Sequence, residues 1–376
     1  MSQTQDLSSP WLPESPAFLG FHPPKLNWLS VELQPKKMHQ AWWDLADKIQ
    51  FPTSIDAVFK LESHHQEPFG FYRVLGCEAE TSETSETFDW FIKVVSPVQA
   101  QRQKDADNIA QFVSSTEASS SKSEVFVSNV LPGFPQQLNG YGILAYEYKP
   151  GRFLQPNNSD LNRLAESLAT LHLKLEHCPN AHQVKQLGLQ RQQVLKQRLE
   201  FIQSGIGHAE KIKSTLPEAV KYLLVNYRAD YLDVLIENAQ CIHGDLNVGN
   251  VWLTESNQLT FLDFEDSLTA WFNPLKDLVF VLERFVFTHA HADEKHIQLA
   301  KQFIQTYYQY HNHRLNSAEH MQQLLQALAV RALLLLIEVA KESGSEMTEE
   351  WQKFVYLYEL ADEQSTIFTR LFLEVK

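Results

Sequence analysis

This sequence contains few cysteines and fewer basic than acidic residues. The 376 residues include only three cysteines, Cys77, Cys178 and Cys241, which lie far apart. An odd number of scattered cysteines argues against a disulfide framework and indicates a reducing compartment, for which we predict the cytoplasm. The formal net charge is −14 at pH 7. No nucleic-acid partner is expected, because binding to nucleic-acid phosphates needs a basic surface.

Long uninterrupted apolar runs are also lacking. The longest apolar segment, Leu324–Val339, contains Gln326, Arg331 and Glu338, so it predicts a buried helix and no membrane span. The N-terminus has no basic patch followed by an apolar run, and no secretory signal is expected. The excess of acidic residues has two interpretations. It serves solubility, or it forms an acidic cleft that attracts a cationic substrate. The net charge alone does not distinguish between them. The sequence leaves the oligomeric state open.

The pattern along the chain predicts three regions. Residues 1–50 combine repeated prolines with aromatic residues, which predicts a packed arm followed by a short helix over Met38–Ile49. Residues 51–150 predict a small lobe of five strands with one helix after the third strand. Residues 151–376 are helical in character, as in Leu161–Glu176, where leucine recurs with the period of a helix.

The predicted elements of the small lobe are separated by polar loops. They are strands over Ala57–Leu61, Gly70–Leu75, Phe88–Val95, Val125–Leu131 and Tyr141–Tyr148, with a helix over Gln99–Val113. This order resembles that of a kinase-like N-terminal lobe, which implies an antiparallel sheet with one helix.

The most informative segment is Cys-Ile-His-Gly-Asp-Leu-Asn-Val-Gly-Asn, which ends at Asn250, followed after a turn by Phe-Leu-Asp-Phe-Glu at 261–265. It predicts that Asp245, Asn250 and Asp263 lie on two adjacent loops. Phosphoryl transfer from a nucleotide needs a carboxylate that orients the attacking hydroxyl, and an amide and a second carboxylate that hold magnesium. Taken alone, Asp245 could be a helix N-cap or turn residue, and Asp263 could be a turn residue at the end of a strand. The combination favours Asp245 as the catalytic group and Asn250 with Asp263 as magnesium ligands.

The pattern H-G-D-x4-N followed by D-x-E resembles the catalytic and metal loops of the aminoglycoside phosphotransferase and choline kinase-like family, distant relatives of protein kinases. The resemblance covers about residues 57–278 and adds a strand lysine, a hinge, L-x-x-L-H and P-x-x-D in the family's order. It implies an α+β, two-lobed protein-kinase-like fold. It also implies ATP- and Mg²⁺-dependent transfer of the γ-phosphate to a hydroxyl of an aminosugar, an amino alcohol or a related metabolite.

For the small lobe, the resemblance implies three contacts with the nucleotide and one ion pair that supports them. Lys93 is expected to bind the α and β phosphates, although a lysine in a strand is usually exposed to solvent. Its acidic partner is expected on the following helix at Asp107, which is shorter than the usual glutamate. Ser63 lies where the family places its phosphate-covering turn, but this loop serves equally well to close a hairpin. Backbone groups from Tyr146 to Tyr148 are expected to bind adenine.

For the large lobe, the resemblance implies support for the two loops. His243 is expected to hold the loop backbone, and Asp277, in the P-x-x-D-L motif, to brace it from below. His172 ends L-x-x-L-H and is interpreted as a packing residue. Glu265 and Asp266 follow the metal aspartate, and contact with magnesium, contact with a substrate amine and exposure to water all remain open for them.

The sequence has three rival interpretations of function. A protein kinase is disfavoured, because HGD replaces HRD, DFE replaces DFG and no Ala-Pro-Glu follows. A nucleotide-binding module without turnover is the stronger alternative, because the chain has no Gly-rich phosphate loop and no glutamate on the helix. A histidine-based metal hydrolase is disfavoured, because the pairs His289 with His291 and His311 with His313 lack a third ligand at helical spacing and predict solvated loops. The acceptor cannot be deduced from the sequence.

Overall fold

The chain folds into two compact units in the computed structural model. The first, called the sheet unit, consists of residues 23–154 and 249–268, and the second, called the helical unit, includes residues 155–248 and 269–376. The structure describes residues 23–31, 40–49, 51, 54–62, 68–77, 87–115, 125–205, 216–288, 292–343 and 348–375.

The strands and helices of the described residues are numbered in chain order. The strands are β1 (Trp28–Ser30), β2 (Ser54–Leu61), β3 (Gly70–Cys77), β4 (Thr87–Val95), β5 (Phe126–Val127), β6 (Gln136–Leu138), β7 (Tyr141–Glu147), β8 (Gly151–Phe153), β9 (Gln240–Cys241), β10 (Val251–Thr254), β11 (Leu259–Phe261) and β12 (Trp271–Phe272). The helices are α1 (Gln40–Ala46), α2 (Pro97–Ser115), α3 (Asn158–Leu175), α4 (Ala181–Ser204), α5 (Glu218–Asn226), α6 (Leu275–Val281), α7 (Glu294–Tyr310), α8 (Ala318–Ser343), α9 (Thr348–Glu363) and α10 (Ser365–Val375). Shorter 3-10 turns cover Ala229–Leu235, Val248–Asn250 and Phe264–Leu268, and a π-helical turn covers Leu282–Val286.

The sheet unit is built on an antiparallel sheet in the spatial order β1-β2-β3-β4-β7-β6. Side chains along β3 alternate between buried and half-buried, as expected of a strand with one face on a core. Tyr72 and Val74 are fully buried on that face, and the ring of Trp42 from α1 stacks on Tyr72 with ring centroids 3.9 Å apart. Burying an aromatic or aliphatic side chain stabilises a fold by roughly 1.5–3 kcal/mol. This core anchors α1, the helix predicted for the N-terminal region.

A second, smaller sheet in the same unit has the order β5-β11-β10-β8. Its centre is the β10–β11 hairpin, in which Val251 lies opposite Phe261 and Leu253 opposite Leu259. The hairpin matters for function because residues of the two motifs predicted to bind metal lie directly before β10 and directly after β11.

The predicted elements of the small lobe are largely confirmed, with two differences in the sheet. The antiparallel sheet contains six strands in the described residues, because β1 and β6 join it. Val125–Leu131 does not form a full strand: β5 pairs in parallel with β11 of the smaller sheet, and Val130 makes only an isolated bridge to Tyr146. The predicted loop residue Ser63 lies outside the described residues.

The helical unit forms as the leucine pattern predicts. α3 begins at an N-cap, where Asn157 Oδ1 accepts a hydrogen bond from the backbone N–H of Asp160 at 3.0 Å. The leucines that recur along this helix are at most 1% exposed. They are Leu161, Leu164, Leu168, Leu171 and Leu175. Helical packing continues to the C-terminus, where α6 to α10 account for most of the described residues after residue 274.

The apolar segment near the C-terminus is an α-helix, as predicted. Within α8, the 22 residues Ala318–Val339 are long and apolar enough to cross a membrane, and 44% of the most apolar stretch of this helix is buried inside the protein. The buried side chains include Leu324, Leu333 and Leu334, which are fully enclosed. Core helices of water-soluble proteins pass the same test of length and composition.

Candidate active site

The loop that carries Asp245 lies in the helical unit and follows β9. We call residues 242–248 the catalytic loop. Gly244 adopts a φ of +90°, a conformation that glycine reaches without the steric cost borne by other residues. The fully buried carboxylate of Asp277 accepts hydrogen bonds from the backbone N–H groups of His243 at 3.1 Å and Gly244 at 3.2 Å. These contacts hold the loop's backbone from α6, where P-x-x-D-L led us to expect a brace.

The charge of Asp277 is compensated within the unit. Burial by itself would raise the pKa of Asp277, but a hydrogen bond with His172 and the positive charge of Lys276 together lower it below its ordinary value. His172 Nε2 lies 3.4 Å from Asp277 Oδ2, and His172 Nδ1 lies 2.8 Å from the hydroxyl of Tyr307. Lys276 Nζ also donates to the carbonyl oxygen of Gly244. The imidazole at the end of L-x-x-L-H therefore belongs to the hydrogen-bond network that supports the catalytic loop.

Asp245 is half-buried, and its carboxylate is oriented by a neighbour in the same loop. Asn247 Nδ2 donates to Asp245 Oδ2 at 2.9 Å. The backbone N–H of Asp245 donates to Nδ1 of the buried His243 at 3.3 Å, which requires that nitrogen to be unprotonated. His243 thus contacts the loop backbone. Such a loop presents a positioned carboxylate that can accept a proton or a hydrogen bond.

The two residues predicted to bind metal flank the β10–β11 hairpin in the sheet unit. The backbone N–H of Leu262 donates to the carbonyl oxygen of Asn250 at 2.9 Å, which extends the ladder by one step beyond Val251 and Phe261. Opposite residues in such a ladder have Cα atoms roughly 4.5–5.5 Å apart. Asn250 and the turn that leads to Asp263 are therefore neighbours, as the spacing between the motifs predicted.

Asp263 occupies an unusual backbone conformation. Its φ of +58° lies in the left-handed region, which is uncommon for a residue other than glycine. Asp and Asn adopt this conformation more readily than other side chains, and backbone strain of this kind clusters at functional sites. We call residues 262–268, which include this turn and the 3-10 turn after it, the metal loop.

Lys93 and Asp263 form an ion pair inside the sheet unit. Lys93 Nζ on β4 lies 3.1 Å from Asp263 Oδ2, and the two side chains are 16% and 34% exposed. The pair brings the predicted phosphate lysine to the predicted metal aspartate. Because both side chains are partly exposed, solvent and ions screen the pair more than they would a buried one.

A second set of contacts ties the metal loop to α2. Gln103 Nε2 donates to Asp263 Oδ1 at 2.9 Å and to Glu265 Oε2 at 2.6 Å. Arg102 Nε lies 3.0 Å from Glu265 Oε1, and its Nη2 lies 3.6 Å from Asp266 Oδ1. Glu265 and Asp266, whose surroundings the sequence left open, are both partnered by side chains of α2.

The acidic partner predicted for Lys93 is wrong. Asp107 Oδ1 accepts the backbone N–H of Val130 at 2.8 Å, and its Oδ2 accepts Gln111 Nε2 at 2.6 Å. Lys93 pairs with Asp263 instead. The residue of α2 that contacts Asp263 is Gln103, which the sequence motifs do not predict. A signal for it existed, because Gln103 lies on the face of α2 that buries Ala100, Ala106 and Ala110.

The segment predicted to bind adenine has less open backbone than expected. The edge of β7 is covered by β6 along residues 141–143, and the backbone N–H of Leu131 donates to the carbonyl oxygen of Ala145 at 2.8 Å. The N–H of Tyr148 donates to the carbonyl oxygen of Asp89 at 2.8 Å. The Tyr148 ring packs on the guanidinium of Arg73, whose carbon lies 4.0 Å from the ring centroid.

Magnesium suits the oxygen atoms that flank the hairpin. Asn250 offers an amide oxygen and Asp263 a carboxylate, and Mg²⁺ is commonly bound by one or two carboxylates with water and phosphate oxygens completing its shell.

Within the ranges that the structure describes, no group of three or more His, Cys, Asp or Glu side chains could hold a metal ion. His311 is 3% exposed, so the prediction of a solvated loop there is wrong, while His289 and His291 lie outside the described residues.

Similarity to known proteins agrees with the motifs. Residues 78–329 match the model of the phosphotransferase enzyme family, APH, and no curated protein sequence matches the chain. Choline kinase LicA from Streptococcus pneumoniae is similar in structure, with 14% identity over 88% of this chain and 100% of that chain and a TM-score of 0.51. Aminoglycoside phosphotransferase APH(4)-Ia, solved with ADP and hygromycin B, has 12% identity over 85% of this chain and 97% of that chain, with a TM-score of 0.50.

The chain belongs to the phosphotransferase enzyme family, because the family model matches more than half of its length. The predicted resemblance to aminoglycoside phosphotransferases and choline kinases is confirmed. The two-lobed, protein-kinase-like α+β fold is confirmed as well, with an antiparallel sheet in one region and helices in the other.

Proposed function

We propose that this phosphotransferase is an ATP- and Mg²⁺-dependent kinase that transfers the γ-phosphate to a hydroxyl of an aminosugar, an amino alcohol or a related metabolite. The observation that carries the proposal is the ion pair of Lys93 with Asp263, next to the turn whose backbone is hydrogen-bonded to Asn250. This arrangement supports a site where Lys93 would bind phosphate and where Asp263 and Asn250 would offer oxygen ligands to a metal. The family and the kinase fold support phosphoryl transfer.

On the nucleotide side, the proposed roles follow from charge. Lys93 exchanges Asp263 for the α and β phosphates, since a partly exposed ion pair can be replaced by a stronger anionic partner. Asn250 and Asp263 hold Mg²⁺, which when bound neutralises charge on the phosphates. Backbone groups near Tyr146 and Tyr148 bind the base, so adenine has to use the few groups there that the sheet leaves open.

On the acceptor side, Asp245 accepts a hydrogen bond from the hydroxyl that attacks the γ-phosphate. Its Oδ2 is already fixed by Asn247, and the loop around it is held by Asp277. The gain comes from positioning and proton acceptance, and general base catalysis of this kind contributes about 10²–10⁴-fold in rate. Loss of this carboxylate should therefore affect turnover far more than binding of the nucleotide.

We propose that the acceptor is cationic. The net charge of −14 favours attraction of cations, and the structurally similar proteins include a kinase named for choline and a phosphotransferase solved with an aminoglycoside. Glu265 and Asp266 are candidates to meet a substrate amine, which would have to compete with Arg102 and Gln103 for their oxygens. We place the enzyme in the cytoplasm, because none of its three cysteines forms a disulfide.

The experiment that tests the proposal is a panel of acceptors monitored by coupled ADP release with ATP and Mg²⁺. The panel contains aminosugars, choline-like amino alcohols, homoserine and uncharged sugars, and mass spectrometry identifies the phosphorylated product. Turnover with a cationic hydroxyl compound is the expected result. A chain that is stabilised against heat by ATP and Mg²⁺ but consumes no nucleotide with any acceptor would instead be a nucleotide-binding module.

A further inference from the structure

We infer that Gln103 is a positioning residue for the metal loop, a role that rests on the function proposed above. The side chain is 6% exposed and lies on the buried face of α2. Its amide nitrogen donates to Asp263 Oδ1 and Glu265 Oε2, and its amide oxygen accepts a hydrogen bond from the hydroxyl of Tyr146 at 3.2 Å. One amide thus links α2, β7 and the metal loop.

The orientation of this amide is determined by its partners. Ionised carboxylates only accept hydrogen bonds, so the nitrogen has to face Asp263 and Glu265. Burial, with the negative charges of Asp263, Asp107 and Glu265, raises the pKa of Tyr146 far above its ordinary value. The phenol keeps its proton and can donate it to the amide oxygen. Both hydrogens and the oxygen of the Gln103 amide are therefore used.

A neutral donor at this position has a physical advantage over a charged one. Two carboxylates that share one donor repel each other, and Lys93 and Arg102 compensate them at 3.1 Å and 3.0 Å. A further cation in place of Gln103 would compete with a divalent metal for Asp263, whereas an anion would repel both carboxylates. The amide fixes the direction of Asp263 and leaves its charge available to a metal.

Loss of the Gln103 amide should weaken metal binding before it affects chemistry. Hydrogen-bond partners of metal ligands typically contribute 10–100-fold to metal affinity. We therefore expect Gln103→Leu, which keeps the approximate volume but removes every hydrogen bond, to weaken divalent-metal binding by roughly that factor. Gln103→Glu, which places a third carboxylate beside two others, should weaken it at least as much.

The experiment measures Mn²⁺ binding by electron paramagnetic resonance in the presence of a non-hydrolysable ATP analogue. Wild type is compared with Gln103→Leu, Gln103→Glu and the control Gln101→Leu. Gln101 lies on the same helix, is exposed and contacts Asp105 at 2.9 Å, so its replacement should change Mn²⁺ affinity by less than about twofold. Thermal melting without metal or nucleotide establishes which variants are folded, and Gln103→Glu decides the question if Gln103→Leu does not fold.

A second readout separates positioning from a general structural defect. If Gln103 positions Asp263, excess metal should restore most of kcat in its variants, and the metal concentration for half-maximal activity should rise. Mn²⁺ affinities of both Gln103 variants within about twofold of wild type would overturn the inference while leaving the proposed function intact. Failure of the wild type itself to bind Mn²⁺ with the nucleotide analogue would overturn the proposed function and this inference together.

Discussion

The catalytic loop and the metal loop are held in place by different kinds of contact. In the catalytic loop, the fully buried carboxylate of Asp277 binds two backbone N–H groups of the loop directly. In the metal loop, the partners are side chains: Lys93 forms a partly exposed ion pair with Asp263, and the buried amide of Gln103 donates to the other carboxylate oxygen. One loop is fixed through its backbone by a buried charge, whereas the other includes an ion pair that can exchange.

The difference corresponds to what each loop is proposed to do. Asp245 has to keep one geometry toward a hydroxyl, and a backbone held by a buried acceptor provides that rigidity. Lys93 and Asp263 have to accept new partners when a nucleotide and a metal arrive, and a partly exposed ion pair has a small cost of separation. The predictions below test this contrast, beginning with the largest expected effect.

Replacing the carboxylate of the catalytic loop should give the largest effect on turnover. Asp245→Asn keeps the size of the side chain but removes its ability to accept a proton, and we expect kcat to fall by about 10²–10⁴-fold. Steady-state ADP release measures the change. Asp230→Asn is the matched control, because Asp230 is an exposed aspartate of the same unit that pairs with Arg228. Full turnover in Asp245→Asn would show that this residue does not act in the reaction.

Removing the brace of the catalytic loop should destabilise the fold more than removing a surface ion pair. Asp277→Ala leaves Lys276 and two backbone N–H groups without their buried acceptor, and breaking a buried pair in this way costs about 3–5 kcal/mol in the free energy of unfolding. The control Asp233→Ala removes a partly exposed partner of Lys196 and should cost at most about 1 kcal/mol. Urea denaturation measures the free energy of unfolding of both variants. If the two variants lost equal amounts, a buried brace and a partly exposed ion pair would not differ in strength as proposed.

The same brace predicts a dependence of stability on pH. The pKa of Asp277 is lowered in the folded state, so its contribution is complete above the unfolded value of about 3.9 and is lost as pH falls through the lower folded value. The gap in unfolding free energy between wild type and Asp277→Asn should therefore be constant above about pH 5 and shrink below about pH 4. Urea titrations across this range measure the gap. A gap that grows as pH falls would show that folding raises the pKa of Asp277, which would contradict the account.

Loss of Lys93, the lysine on β4 that pairs with Asp263, should have a smaller effect, and this effect should be on nucleotide binding. Lys93→Met removes a charge-assisted hydrogen bond, which is worth about 1.5–3 kcal/mol, so nucleotide affinity should fall by roughly 10–100-fold. Isothermal calorimetry with ATP and Mg²⁺ measures the affinity. Lys60→Met, on β2 of the same sheet, is the control and should bind nucleotide like the wild type. If both lysine variants bind nucleotide equally well, Lys93 has no role in phosphate binding.

The fold and the two loops follow from the sequence because their signals are local. Leucines at helical spacing predicted α3, apolar segments between polar loops predicted β3 and β4, and the short turn between the two motifs predicted that their loops are adjacent. The two extra strands were not predicted, because β1 and β6 have only three residues each and their pairing with β2 and β7 comes from tertiary structure.

The partners of the metal loop were harder to predict for a different reason. Gln103 lies in a helix that also contains Gln99, Gln101 and Gln111, and nothing in its identity marks it as the one that reaches Asp263. The resemblance implies an acidic partner for Lys93 on this helix, and Asp107 meets that expectation by charge. Its carboxylate is used instead to bind the backbone of Val130, a contact between residues 23 positions apart that no local pattern reports.

The acceptor hydroxyl is assigned to the catalytic loop and the metal to the metal loop. The most direct test is calorimetry of Mg²⁺-dependent nucleotide binding to Asp245→Asn and Asp263→Ala, with turnover measured on the same samples. We expect Asp245→Asn to bind nucleotide like the wild type without turning over, and Asp263→Ala to lose the Mg²⁺-dependent part of binding. Equal binding by the two variants, or turnover retained in either, would contradict the assignment of one loop to the hydroxyl and the other to the metal.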